Sequence, residues 1–171
     1  MIIQKAVKQN LEEILTIYKE AREYMALNGN PNQWGNNYPP YELIESDINE
    51  EKCYIALDEE NKICGVFYFA IENDPMYNII EKGQWLNDDK YAVVHRIAVS
   101  MNTHNKGIAG RCIDYAVEIC KSEKVFNLRM DTHRDNQPMQ AFLVKKGFEK
   151  CGIVFVDDGT ERIAYHKLIN V

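Results

Sequence analysis

His95-Arg96-Ile97-Ala98-Val99-Ser100-Met101-Asn102-Thr103-His104-Asn105-Lys106-Gly107-Ile108-Ala109-Gly110 is the stretch on which the fold turns. It begins inside a β-branched, mostly apolar run from Tyr91 to Val99, which predicts a strand. A tight loop then leads into a helix, because Ile108, Ala109, Cys112, Ile113, Ala116, Val117 and Cys120 form an amphipathic stripe. Gly107 and Gly110 let the backbone approach a ligand closely. The first N–H groups of a helix have no internal partner, and its dipole adds partial positive charge there. That geometry receives a phosphate or pyrophosphate. Lys106 and Arg111 add charge nearby. The pattern is neither GxxxxGK(S/T) nor GxGxxG, which excludes the P-loop and Rossmann readings. Physics alone leaves two readings: an anion site at a helix start, or an ordinary loop with glycines there.

Working outward, Met1–Ala6 predicts a first strand, and Leu11, Ile14, Leu15, Tyr18 and Met25 recur at helical spacing. Asn28-Gly29-Asn30-Pro31 ends that helix. An aromatic loop over Gln33–Pro40 precedes a short helix over Tyr41–Asn49, with Leu43, Ile44 and Ile48 facing inward. Cys53–Leu57 and Ile63–Ile71 predict a strand hairpin about Asp58–Asn61. Glu72–Lys90 is a polar excursion with Tyr77 and Trp85 embedded. Past the central helix come a strand over Asn127–Thr132 and a helix over Met139–Lys146, closed by Gly147. Phe148–Val156 and Arg162–Leu168 form a last hairpin. The strands Tyr91–Val99 and Asn127–Thr132 are joined through a helix and should be parallel. The expected class is α/β, a mixed central sheet with helices on both faces.

The chain of 171 residues suits one domain spanning 1–171, with no internal repeat or linker. Its net charge of −6 gives no counterion-release drive toward nucleic acid. No stretch reaches the roughly 20 apolar residues that cross a bilayer, so no membrane partner is expected. Met1–Ala6 lacks the features of a signal peptide. The five cysteines, Cys53, Cys64, Cys112, Cys120 and Cys151, form no CxxC pair, which suggests reduced thiols and a cytoplasmic location. Neither a metal site nor a cysteine nucleophile is expected, and a homodimer is compatible with the sequence.

Three pieces in register resemble the GNAT superfamily of N-acetyltransferases. They are the strand ending Ile97-Ala98-Val99; His104-Asn105-Lys106-Gly107-Ile108-Ala109, similar to the family's Q/R-x-x-G-x-G/A loop; and Asn136–Phe148, similar to its N-x-x-A…G-F segment. The resemblance implies a splayed parallel strand pair that admits the pantetheine of acetyl-CoA, the cosubstrate. It implies backbone contacts at Ile97, Ala98 and Val99, with the Val99 N–H as oxyanion donor. It also implies a pyrophosphate cradle of His104, Asn105, Lys106, Gly107, Ile108, Ala109 and Gly110, and a coenzyme contact at Asn136. The acetyl group would pass to an amine of a small molecule or peptide by direct attack in a ternary complex. Alternatives are another acyl-CoA or a coenzyme-binding sensor without turnover. Two positions depart from the family: His104 replaces Gln or Arg, and Leu143 replaces the tyrosine that many members use as general acid.

A base must take the amine proton. Period-2 alternation places His95 on the strand face of Ile97 and Val99, with Arg96 opposite and ion-paired on the other face. Arylalkylamine N-acetyltransferases look similar here, with a catalytic-site histidine at the matching position. His95 is either that base or a structural histidine held in the sheet. Trp34 and Tyr38 are acceptor contacts or packing anchors, and Tyr77 and Trp85 carry the same pair of readings. His133 lines the site or caps the following turn. Glu42, Glu45 and Asp47 either attract a cationic acceptor or form a solvated helix face.

Overall fold

Helical spacing of apolar residues produces the first helix, α1 (Leu11–Leu27), which buries Leu11, Ile14, Ile17 and Tyr18. Glu12 and Glu13 in its first turn complement the helix dipole. The second, α2 (Tyr41–Asn49), buries Ile44, Asp47 and Ile48. The strands are β1 (Ile2–Lys5), β2 (Cys53–Leu57), β3 (Ile63–Ile71), β4 (Ala92–Val99), β5 (Asn127–Thr132), β6 (Glu149–Phe155) and β7 (Glu161–Leu168). α3 (Ile108–Ser122) follows β4, and α4 (Gln137–Lys145) follows β5. The computed structural model describes residues 1–103 and 106–170.

The seven strands hydrogen-bond in the order β1-β2-β3-β4-β5-β7-β6. β4 and β5 are parallel, pairing Ala92 with Leu128 and Val93 with Arg129. β4 runs on to Val99, while β5 continues alongside β7 as far as Thr132. β1–β2, β2–β3, β5–β7 and β6–β7 are antiparallel. This is the expected mixed α/β sheet with one parallel pair.

The backbone forms two compact units. The first comprises Met1–Phe69 and Val94–Ala116. Strand alternation there sends Cys53, Ile55 and Val66 into a core with Leu11, Ile14, Ile17, Tyr18, Ile44, Ile48 and Ala98. The opposite side turns to α3. Tyr54 stacks on Phe67 at 5.4 Å and meets Tyr115 at 6.0 Å. Helices therefore cover both faces. Gly65 makes this approach close: a β-carbon there would lie 2.8 Å from Ile108 Cγ2.

The second unit comprises Ala70–Val93 and the chain from Val117 onward. Here the 72–90 excursion is tied down by its aromatic residues. The Trp85 Nε1–H donates to the Tyr77 carbonyl at 2.9 Å, and the Tyr77 hydroxyl donates to Asp131 Oδ2 at 2.7 Å. The Arg129 guanidinium lies between the rings of Trp85 and Tyr91, 4.3 and 3.9 Å from their centroids. His166 is wholly buried; its Nδ1 accepts the Leu86 N–H and its Nε2 faces Asn127 Oδ1. Burial pushes its pKa down to about 4, with the Arg129 charge adding to the effect, so the ring is neutral. Tyr77 and Trp85 are thus anchors of this unit.

Several element ends differ from the sequence expectation by one or two residues, and the start of α4 has a clear cause. α4 starts at Gln137 rather than Met139, because the Asn136 side chain accepts the Met139 N–H at 3.1 Å. Pro138 then sits in the first turn, where a missing N–H costs nothing.

Candidate functional site

β4 is not a uniform strand. Arg96 has φ +51°, a left-handed conformation uncommon for a residue with a side chain. It interrupts the pleat, so alternation does not carry through residue 96. His95 and Arg96 consequently lie against the same ring. Tyr68 is 5.8 Å from the His95 ring centroid, and Arg96 Cζ is 4.6 Å from the Tyr68 centroid. The expectation that Arg96 points away from His95 is corrected on this ground. The argument that placed His95 beside Ile97 and Val99 loses its basis for the same reason. The Tyr18 hydroxyl donates to the Arg96 carbonyl at 2.8 Å and holds the reversed residue. In a trans peptide the Ile97 N–H then points the other way.

Arg96 makes the expected ion pair, with Asp47 of α2. Its Nη2 and Nε donate to Asp47 Oδ2 at 2.7 and 3.2 Å. Both side chains are nearly buried, 11 % and 8 % exposed. Burial raises the Asp47 carboxyl above its ordinary range against the pull of Arg96. Burial works hardest against the Arg96 charge, but Asp47, Tyr38 and Tyr18 together outweigh it and hold the guanidinium above its ordinary range. Asp47 therefore does not belong to a solvated acidic face. Of its helix neighbours, Glu42 is exposed and Glu45 approaches Lys8 at 3.7 Å.

The loop before α2 closes on this pair. The Trp34 ring packs edge-on to Tyr18 at 5.7 Å and tilts toward Tyr38 at 6.2 Å. Arg22 donates to the Tyr38 carbonyl, and Arg96 Nη1 donates to its hydroxyl at 3.4 Å. Trp34, Tyr38 and His95 thus gather around Asp47, Tyr68 and Arg96. Tyr68 is the member that sequence reasoning passed over, and Asp47, read there as an acceptor-attracting or solvated acid, is instead buried against Arg96. For Asp47 the signal exists: it stands three residues after Ile44 and one before Ile48, on the apolar face of its own helix.

The anion-site stretch lies at the other end of β4. The Cys64 carbonyl accepts the Ser100 N–H at 3.0 Å and the Thr103 hydroxyl at 3.2 Å. Glu20 accepts the Met101 N–H at 3.1 Å. The Lys106 N–H is already spent on the Thr103 carbonyl at 3.2 Å, so that residue offers its exposed side chain rather than its amide. The Arg111 N–H bonds Gly107 O, which leaves the amides of Ile108, Ala109 and Gly110 without partners within the helix. Gly107 has φ +73°, and among the described residues a β-carbon there would meet nothing within 4 Å. Ala98 places its side chain in the core and has only its backbone to offer a ligand. His104 and Asn105 lie outside the described residues.

A profile of the Acetyltransferase (GNAT) family matches residues 11–148, from the start of α1 past the end of α4. The chain belongs to the GNAT acetyltransferase family. It is similar to a GNAT-family acetyltransferase structure from Streptococcus agalactiae 2603, with 28 % identity and a TM-score of 0.88, covering 99 % of this chain and 96 % of the other. A GNAT-family structure from Listeria monocytogenes 4b F2365 shares 19 % identity over 98 % and 94 % of the two chains, TM-score 0.75. The NatC complex bound to Gag peptide and CoA shares the fold at 12 % identity and TM-score 0.69, over 99 % and 98 %. No curated protein sequence matches the chain.

In this GNAT protein the remaining candidates serve the second unit. Asn136 caps α4 through its side-chain oxygen. His133 Nδ1 accepts the Asp135 N–H at 3.1 Å and so caps the turn that follows β5. Burial, then the charge of Arg162, lowers the His133 pKa, in keeping with a neutral ring that accepts at Nδ1. Leu143 is wholly buried on α4. All five cysteines are buried and free, and burial pushes Cys53, Cys112 and Cys120 up to about 12, far from a reactive thiolate. Among the described residues no cluster of metal-ligating side chains occurs, and no helix is long and apolar enough to cross a membrane.

Proposed function

We propose that the whole chain acts as one acetyltransferase domain, moving the acetyl group of acetyl-CoA to a primary amine of a small molecule or peptide. Direct attack in a ternary complex is the route. The observation that carries this reading is the left-handed Gly107 opening α3, followed by helix-start amides at Ile108, Ala109 and Gly110, in a chain that matches the GNAT family over residues 11–148. Those amides and the Lys106 side chain are suited to a pyrophosphate. A fold neighbour, the NatC complex, is described with CoA bound, which supports the same coenzyme here.

The coenzyme supplies an activated thioester. The chain supplies the rest. The backbone of Ile97, Ala98 and Val99 would hold the pantetheine arm, and the Val99 N–H would polarise the thioester carbonyl. His95 would take the proton of the incoming amine. Trp34 and Tyr38 would contact the acceptor. Leu143, apolar and buried, cannot protonate the departing thiolate. The direct test is release of free CoA thiol from acetyl-CoA across a panel of amines. A protein that binds the coenzyme but frees no thiol with any amine would defeat amine transfer and leave a sensor.

The coenzyme site has its own test. Gly107→Val forces a β-branched residue into a left-handed conformation, at about 1–3 kcal/mol, or roughly ten- to hundredfold in Kd for acetyl-CoA. Since a β-carbon meets no atom of the described residues there, the loss is attributed to φ. Gly107→Asn, which tolerates that region, should lose much less. Calorimetric titration showing unchanged affinity in the valine variant would move the coenzyme elsewhere.

A further inference from the structure

Resting on the acetyl-transfer reading, the geometry points to a finer feature of the acceptor. We infer that Arg96 Nη1 and the Tyr38 hydroxyl form a subsite for a neutral carbonyl oxygen beside the amine, so that the substrate class is α-amino amides and peptide N-termini.

Arg96 gives Nε and Nη2 to Asp47 within a nearly buried pair. Its Nη1 faces Tyr38 Oη at 3.4 Å, beyond the usual range of a firm bond. That contact is solvent-exposed, and Tyr38 itself is 38 % exposed. A guanidinium N–H and a phenol O–H held loosely together can both donate to one incoming oxygen. The charge decides which oxygen. Asp47 cancels Arg96, so the subsite offers donors without net charge. A carboxylate would surrender strong hydration and gain no compensating cation, whereas an amide carbonyl surrenders little. The location decides its neighbour. The Tyr68 ring touches both His95 and Arg96, which sets the oxygen subsite next to the candidate base. Trp34, tilted toward Tyr38, supplies an apolar wall.

L-Phenylalanine amide, L-phenylalanine and 2-phenylethylamine share an aromatic body and a primary amine and differ only in the group beside it. Their amines differ in basicity, so the reading is the change in relative kcat/KM between proteins, with acetyl-CoA saturating. Tyr38→Phe keeps the ring and should lower the amide-to-phenylethylamine ratio about three- to tenfold, the weight of one hydrogen bond. Asp47→Asn leaves Arg96 uncompensated and should shift the acid-to-amide ratio toward the acid. Ratios unmoved in both variants, with turnover present, would overturn the subsite and leave acetyl transfer intact. Thiol release from no amine at all, with acetyl-CoA bound, would instead strike the transfer reading. In that case titration of the amide into the protein–CoA complex decides the subsite: binding weakened by Tyr38→Phe upholds it, and absent or unaltered binding overturns it.

Discussion

Removing the His95 imidazole is expected to lower kcat by about 10²- to 10⁴-fold, the usual weight of a positioned general base. An amine nucleophile is mostly protonated at neutral pH, and attack needs its lone pair. His95 lies 5.8 Å from the Tyr68 ring, beside the Arg96 cluster and within electrostatic range of Asp47. A base that must first lose its own proton gives kcat/KM an acidic limb that rises with pH. In His95→Ala that limb should flatten, while the Kd for acetyl-CoA stays near wild type because the proposed coenzyme contacts lie further along β4 and at α3. His95→Gln separates the two readings of this residue. Glutamine restores size and hydrogen bonding but takes no proton in this range. Recovery of activity in the glutamine variant, or a limb unaltered in the alanine variant, would make His95 a structural residue.

The fold is legible where burial repeats with an element's own period. In the stripe that predicts α3, Ile108, Cys112, Ile113, Ala116 and Cys120 are buried, and Ala109 and Val117 at its margin are half-buried. The β2–β3 hairpin and the parallel β4–β5 pair follow from similarly local signals and from the crossover between them. The site is legible only at its ends. Gly107 announces its left-handed turn because glycine is the residue that bears it cheaply. Arg96 adopts such a turn with no glycine to mark it, held by a hydroxyl from Tyr18, which is distant in sequence. A reading that assumes constant alternation therefore misplaces the side chains on either side. Tyr77 and Trp85 are ambiguous for a related reason. The groups that fix them, Asp131 and Arg129, are brought to them by β5, and a polar segment read by itself does not reveal such partners.

The same reversal makes Arg96 the position whose loss should most damage the folded state. Arg96→Met keeps the unbranched apolar stem over Tyr68 but leaves Asp47, 8 % exposed on its side chain, without its cation. Breaking a buried pair from one side costs about 3–5 kcal/mol. The pH dependence identifies the cause. Burial already raises the Asp47 carboxyl above its ordinary range, and Arg96 is the strongest influence pulling it down. Without Arg96 the folded-state pKa rises further above the unfolded one. Between the two values the folded state binds more protons than the unfolded state, so stability falls as pH rises. The deficit should thus be smallest in acid, near the unfolded value, and grow as pH climbs through the raised folded-state pKa. Urea melts of wild type and Arg96→Met across that window would show the difference in midpoint widening with pH. Adding Asp47→Asn to Arg96→Met removes the stranded charge and should recover much of the loss, since an asparagine is cheaper to bury than a carboxylate. A deficit that is constant with pH and untouched by the second substitution would assign the damage to the lost guanidinium contacts with Tyr68 and Tyr38 rather than to the ion pair.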